Sequence, residues 1–408
     1  MKTAIVIASG PSMRSVCLPL LQAADAVTIA VNNAVLHARF ADYVFTLDTV
    51  DLNERYDLPW FRGVRVAAVP SDYGAPDARF RCDRVDPMPD VRYIERTDFR
   101  AGFDTVGKIM TGCSGFGAYQ FAYKFLDADR VFIFGCDHSQ QGTYFYGQQR
   151  NPAALRNWKI ALDNWNRHKP PVETWNVSPV SRISSLPKIT PAYAYGMLGL
   201  SRVPVVTVLK CGGEYNEGHV EWLQRQIGHP IVCLTDSTRK MKGVVSIPLE
   251  HDLPGWWSKL EMFRDDLVLG DFLYADLDTV FLRGVPGWIT DLRETHVLSD
   301  MYGGKVINSG LMYLRHEDRP AIWLAFAEDK ADAIRECGAG GDQAFLDRFW
   351  SRKARFQNAA PGKVISYKAD VLKNRFHRPE NGDLSTADIV CFHGKPRPWQ
   401  TQEEWIPA

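Results

Sequence analysis

The chain has 408 residues, a length that favours two to three domains. Hydrophobic residues make up 45% and charged residues 24%, a globular balance that sets disorder, collagen and coiled coil aside. Lys+Arg and Asp+Glu are 48 each, without the basic excess of a protein held to nucleic acid by bulk charge.

The opening MKTAIVIASGPSM has one Lys and a short apolar run, and lacks the longer apolar region and cleavage site of a signal peptide. It reads as a buried strand, Thr3–Ala8, ending in the turn Ser9-Gly10-Pro11-Ser12-Met13. Small residues after a strand, with Ser12 able to cap a following helix, can make an anion site at a helix N-terminus; the alternative is a tight strand-to-helix turn. Further strands are expected at Ala26–Ala30, Tyr43–Leu47, Val64–Val69 and Arg130–Phe134, with a helix at Gly115–Leu126. Strands alternating with helices imply a mostly parallel sheet, whose ligands bind at the carboxyl ends of the strands. Asn32-Asn33, Asp48, Ser114-Gly115 and Asp137-His138 stand at such ends.

The Pro- and Gly-containing segment 187–204 precedes a new strand, Val205–Leu209, and puts the domain boundary near residue 200: domains 1–200 and 201–408. Ala192–Leu200 can alternatively form a helix closing the first domain. No stretch reaches 18 uninterrupted apolar residues, which argues against a membrane span. The eight cysteines include no C-x-x-C pair, so a reduced, cytoplasmic protein is expected.

The second half carries the sharper chemistry. An apolar strand, Phe272–Ala275, runs into Asp276-Leu277-Asp278 and then Thr279-Val280-Phe281. On extended chain Asp276 and Asp278 project to one side, with Leu277 turned into the core. Two such carboxylates repel unless a cation or a proton lies between them, and Mg²⁺ or Mn²⁺ there would clamp a nucleotide diphosphate. A solvated Asp pair at a strand end is the plain alternative. Asn308-Ser309-Gly310 lies between apolar residues, Asp342-Gln343 opens the apolar helix Ala344–Trp350, and Gly255–Arg264 reads as an amphipathic helix start. His393-Gly394-Lys395-Pro396-Arg397-Pro398-Trp399 follows the strand Ile389–Phe392 and gathers an imidazole, two cations and an indole. An imidazole can complete a metal shell, and Lys395 or Arg397 can take a diphosphate.

In that order the blocks resemble the GT-A nucleotide-sugar glycosyltransferases, in particular the family of glycogenin and the bacterial lipopolysaccharide galactosyltransferases. That family shows D-x-D, N-S-G, D-Q and a near-terminal H-x-x-G-x-x-K-P-W; here the last block is compressed, with Gly394 directly after His393. The resemblance covers about residues 203–400 and implies a metal site of Asp276, Asp278 and His393. It implies sugar or acceptor contacts from Asn308 and Ser309, donor-sugar contacts from Asp342 and Gln343, and retention of anomeric configuration. Gly310, Gly394, Lys395 and Arg397 would line the donor, Lys259 would stand near its diphosphate, Lys210 would end the base-binding strand, and Tyr215 offers a ring to stack on the base. The donor is expected to be a UDP-sugar and the acceptor a hydroxyl.

Residues 1–185 are similar to bacterial sialyltransferases with a G-x-G-P-S start and to the archaeal 6-hydroxymethylpterin diphosphokinase-like group. The resemblance rests on Ala8–Ser12, on residues 111–118 and on residues 134–146. It implies nucleotide contacts from Gly10, Ser12 and Asp137. No His follows the last block until His168, a departure from the sialyltransferases, whose general base stands there. The expected fold is therefore α/β with two Rossmann-like domains, the second of GT-A type. The expected activity is metal-dependent glycosyl transfer to a glycan or glycoconjugate. A hydroxymethylated base in DNA is a second acceptor reading, for a phage-encoded chain in its host's cytoplasm, and it would need a basic groove fed by Arg92, Arg96, Arg100, Arg150 and Arg156. A diphosphokinase or a nucleotide-binding protein acting through the first domain is the alternative. Donor base, acceptor and oligomeric state are open.

Overall fold

Alternating apolar strands and helices build two α/β units, residues 1–18 with 24–198 and residues 19–23 with 199–408. The computed structural model describes residues 1–47, 57–70, 90–97, 106–110, 112–138, 144–145, 152–302, 304, 306–350, 352–372 and 384–407, with backbone alone for 152–158. Asp48, Thr111 and the stretches 139–143 and 146–150 of the sequence reading lie outside these. Among the described residues no helix is long and apolar enough to cross a membrane.

The first unit is a parallel sheet. Its strands are β1 (Thr3–Ile7), β2 (Val27–Val31), β3 (Tyr43–Thr46), β4 (Val64–Val69), β5 (Val91–Thr97), β6 (Ile109–Met110), β7 (Arg130–Phe134) and β8 (Glu173–Val177). The order is β6-β5-β4-β3-β2-β1-β7-β8, so the direction of winding reverses between β1 and β7. β1 is buried at every position, as a central parallel strand covered on both faces must be. Helix α1 (Ser114–Phe125) lays Phe116, Tyr119 and Phe121 on this sheet. Gly117 permits the approach, since a Cβ there would stand 2.7 Å from the Phe45 ring. Helices α2 (Pro152–Arg167) and α3 (Pro191–Met197) follow. The helix expected over 192–200 thus exists, begun one residue earlier by Pro191 and capped by Thr190, whose hydroxyl accepts from the Tyr193 amide at 3.3 Å.

The second unit is mixed. Strands β9 (Val205–Leu209), β10 (Ile231–Thr235), β11 (Val244–Pro248), β12 (Phe272–Ala275), β13 (Thr279–Phe281), β14 (His296–Ser299), β15 (Ile307–Leu314), β16 (Ala354–Arg355), β17 (Val364–Ser366) and β18 (Ile389–Cys391) form two sheets. The larger has the order β11-β10-β9-β12-β15-β14-β16, and the smaller β13-β18-β17. β9 to β12 pair in parallel, and β15 joins β12 antiparallel. Helices α4 (Glu217–Ile227), α5 (Arg319–Glu328), α6 (Lys330–Cys337) and α7 (Gly341–Trp350) complete it. The expected helix start at Gly255 is a 3-10 segment, Gly255–Phe263. Trp257 stacks on Phe326 at 5.8 Å, whereas Trp256 is 60% exposed.

Asp276-Leu277-Asp278 departs from the extended course expected of it. The chain leaves the large sheet after Ala275 and enters the small one at Thr279, and the three residues make the turn between them. The Thr279 amide closes it on the Asp276 carbonyl at 3.0 Å. Leu277 is buried in the core, as the sequence implied, and anchors the turn from beneath.

Candidate functional site

The turn between β12 and β13 puts its two carboxylates against two different cations. Lys259, on the 3-10 segment, is buried; its ammonium stands 3.1 Å from Asp276 and 3.1 Å from Asp342. The segment that carries it is fastened by buried Glu261, which accepts from the Glu250 and His251 amides at 2.7 and 3.0 Å and pairs with Arg264 at 2.9 Å. Ser309 on β15 donates to Asp342 at 2.8 Å and accepts from Lys259 at 3.2 Å. Tyr274 donates to Asp276 at 2.5 Å. Burial opposes the charge of Lys259, but Asp276 and Asp342 together more than offset it and hold the ammonium protonated. One buried cation therefore joins residues from three separated sequence blocks.

Asp278 faces the other way, onto Arg397. The guanidinium makes a short pair with Asp278, reaches Glu214 at 2.9 Å, and lies over the Tyr215 ring at 5.2 Å. Burial and the charge of Asp276 push the Asp278 carboxyl up to about 7, against the pull of Arg397. Lys368 approaches from the π-helical turn Tyr367–Val371, and Gly394 makes room for it: a Cβ there would sit 3.2 Å from its ammonium. Burial and the charge of Arg397 lower the Lys368 pKa. Of the two cations left open by the sequence, Arg397 reaches the acidic pair; Lys395 is exposed and is felt by Glu214.

The expected metal cage is not assembled. His393 is hydrogen-bonded to Ser366 Oγ at 2.6 Å and meets the Tyr302 ring edge-on at 5.2 Å. Among the described residues no three His, Cys, Asp or Glu side chains group as a metal ion requires. Each carboxylate is paired with a protein cation, Asp276 with Lys259 and Asp278 with Arg397, while the imidazole is held at the end of β17. The residues as placed thus do not fit a three-ligand ion, and the charge of the pair is met by Lys259 and Arg397. Burial and Lys368 lower the His393 pKa to about 4. Its folded value lies below the unfolded value of about 6.5, so the unfolded chain binds more protons between those limits and stability rises with pH across them. Wild-type protein should lose on the order of 2 kcal/mol between pH 7 and pH 4 at this residue. His393→Gln should flatten that slope in urea unfolding at pH 4.5 and 7.

The remaining sequence candidates divide. Asn308 Oδ1 accepts from the Gly310 amide at 2.9 Å, and the Gly310 carbonyl accepts from Asp276 N at 2.8 Å, so the N-S-G block backs the acidic turn. A Cβ on Gly310 would lie 3.0 Å from Asn308 Oδ1 and 3.2 Å from Asp276 Oδ2. Gly310→Ala should displace Asp276 at a cost of less than about 1 kcal/mol in thermal unfolding. Gln343 is half-buried in the first turn of α7 beside Asp342. Lys210 pairs with Asp252 at 2.9 Å and Asp236 at 3.1 Å, away from the Lys259 cluster's partners. Tyr215, expected to stack on a base, has one ring face covered by Arg397 and meets Trp399 and His219 edge-on. Glu214, Tyr274, Ser366 and Lys368 escaped the sequence reading. Tyr274 alone had a signal, two residues before Asp276 on the same strand.

In the first unit, the anion expected at the Gly10-Pro11-Ser12 turn finds its place taken. The Ser12 amide and hydroxyl donate to buried Asp137 at 2.8 and 2.5 Å, and Gly10 packs directly on the Gly135 carbonyl. Gly10, Ser12 and Asp137 lock the ends of β1 and β7 together. His168 is a core histidine, 3.3 Å from the Tyr119 hydroxyl. The basic groove loses members: Arg92 lies over Phe121 and Phe125, and Arg96 donates to the Leu47 carbonyl at 2.5 Å. Arg100, Arg150 and the Arg156 side chain lie outside the described residues.

No protein-family model matches the chain, and no curated protein matches it by sequence. Solved structures similar to it include the glycosyltransferase GlyE of Streptococcus pneumoniae TIGR4, at 14% identity and TM-score 0.36. That match covers 49% of this chain and 57% of GlyE, so the chain spans little more than half of that protein. The galactosyltransferase LgtC matches at 10% identity and TM-score 0.36 over 49% of this chain and 90% of its own. The bifunctional glycosyltransferase WbbM matches at 12% and 0.33 over 48% and 46%.

Proposed function

We propose that the second unit is a glycosyltransferase of GT-A type that moves a sugar from a nucleotide-sugar donor to a hydroxyl acceptor. The observation that carries this reading is the convergence of four distant blocks. Lys259 ties Asp276, Ser309 and Asp342 together, and Arg397 joins them through Asp278.

The chemistry follows from charge. When the bond between the anomeric carbon and the diphosphate breaks, the sugar gains cationic character and the diphosphate takes the electron pair. Arg397 and Lys368 are the cations that can receive that negative charge, with Glu214 and Tyr215 holding the guanidinium in position. Asp276 and Asp342, kept in place by the buried ammonium, offer carboxylate oxygens to sugar hydroxyls and to the developing positive charge. The acceptor oxygen forms the new bond to the anomeric carbon as its proton passes to the departing diphosphate oxygen. A UDP-hexose is the first donor to try, and a glycan hydroxyl the first acceptor.

Release of nucleoside diphosphate from a panel of nucleotide sugars tests the reading, each with Mn²⁺, with Mg²⁺ and with chelator. Turnover of at least one donor, reduced 10²-fold or more by Asp342→Asn, is expected. Turnover unaffected by that change, or none with any donor together with no thermal shift, would refute it. ATP turnover dependent on the first unit would support the diphosphokinase alternative instead.

A further inference from the structure

The winding of the first unit reverses between β1 and β7, and the carboxyl ends of those strands carry a cluster that the glycosyltransferase reading leaves unused. Cys113 is the N-cap of the twelve-residue helix α1 and is half-buried. Its Sγ lies 3.6 Å from His138 Nε2, on the segment that leaves β7. Cys136, two residues before His138, is buried. Both sulfurs flank a single point: a Cβ on Gly115 would sit 3.3 Å from Cys136 Sγ and 4.0 Å from Cys113 Sγ. Both are thiols.

The backbone is built to hold this arrangement. His138 has φ +45, in the left-handed region that a side chain adopts at a cost of about 1–2 kcal/mol. The residues before it are pinned: the Cys136 carbonyl accepts from Ser181 Oγ at 2.9 Å and Asn176 Nδ2 at 3.3 Å, and the Asp137 carbonyl accepts from Arg182 N at 2.9 Å. Asp137 is also held by Ser12. The strained conformation is thus held by bonds to the two residues before it, and it delivers the imidazole to Cys113. The hydrogen bond from Cys136, then the charge of His138, carry the Cys113 thiol well below its ordinary value despite burial.

We propose that Cys113, His138 and Cys136 form a peroxide-reactive thiol site, with Cys113 the attacking thiolate and Cys136 the resolving thiol. The Cys113 thiolate attacks one oxygen of hydrogen peroxide; the S–O bond forms and the O–O bond breaks. The departing hydroxide takes the His138 imidazolium proton and leaves as water, so peroxide is reduced by two electrons and the sulfur becomes a sulfenic acid. Cys136 passes its proton to the now neutral imidazole and attacks the Cys113 sulfur. The S–S bond forms, the S–O bond breaks, and the second hydroxide leaves as water with that proton. Two thiols and one peroxide give one disulfide and two waters.

Mapping by mass spectrometry tests this on the full chain. With one equivalent of hydrogen peroxide a Cys113–Cys136 disulfide should form first, while Cys211 and Cys337, also half-buried, remain alkylatable. Cys136→Ser should instead leave Cys113 as a sulfenic acid that a dimedone probe captures. Iodoacetamide should label wild-type Cys113 with a pH midpoint below those of Cys211 and Cys337. That measurement needs no variant and stands even where His138→Gln, expected to slow Cys113 about tenfold, disturbs the fold. A Cys113 labelled no faster than those two cysteines at pH 6, or a first disulfide elsewhere, overturns the proposal.

Discussion

Lys259→Met should abolish donor turnover, lowering kcat/KM by about 10³-fold, a loss of about 4 kcal/mol in transition-state stabilisation. Methionine keeps the length and volume of the stem, so packing is nearly conserved and the missing charge is the perturbation. Lys259 is the one partner shared by Asp276, Ser309 and Asp342 among the described residues. Without it Asp342, buried as deeply as Lys259 itself, becomes an uncompensated carboxylate. Breaking such a buried pair costs about 3 kcal/mol or more in stability. Urea unfolding should therefore fall alongside activity. The double variant Lys259→Met/Asp342→Asn should regain most of the lost stability and none of the activity, because the amide removes the orphaned charge without restoring the cation. Equal stability of Lys259→Met and wild type, or retained turnover, would contradict the role given to this ammonium.

Arg397→Met should weaken donor binding by about 10²-fold, with a pH signature that identifies its partner. Asp278 already sits near 7 in the folded chain, against about 3.9 when unfolded. Its folded value is the higher one, so the stability tied to its proton is present at acid pH and is lost as pH rises through 7. Arg397 pulls that value down, and removing it moves the value further up. The variant should then lie within about 1 kcal/mol of wild type at pH 5, where Asp278 is protonated in both. It should fall about 1–2 kcal/mol below at pH 8, where wild-type Asp278 ionises against Arg397 and the variant's carboxyl, without that partner, holds its proton. The same change frees oxygens that an external cation would compete for, so Mn²⁺ should bind the variant more tightly than wild type in an electron paramagnetic resonance titration. A stability difference independent of pH would place the effect of Arg397 elsewhere.

The strands were readable because their pattern is local. TAIVI, VRVAAV, RVFIF, VVTVL and FLYA are apolar runs between turn residues, and each occupies the range expected to within a residue. Val91–Thr97 escaped notice because VRYIERT mixes charge with apolar residues toward one side of its sheet, where burial is partial. Helix α2 escaped because its amphipathic pattern is half polar.

At the site, residue identity and residue partnership separate. The order of the sequence blocks, through the family resemblance it carries, grouped Asp276, Asp278, Ser309, Asp342, Lys259 and Arg397 as expected members of one site, because residue types and their order are properties of the linear chain. Which charge meets which was decided only in three dimensions. The chain turns between two sheets at Asp276–Asp278, so the carboxylates diverge to an ammonium from one segment and a guanidinium from another, more than a hundred residues away. His393 is turned to Ser366, and Cys113 meets His138, through crossings of the backbone that no local spacing encodes. Electrostatic pairing depends on distance in space, falling steeply over a few ångströms, and separation along the chain does not set that distance.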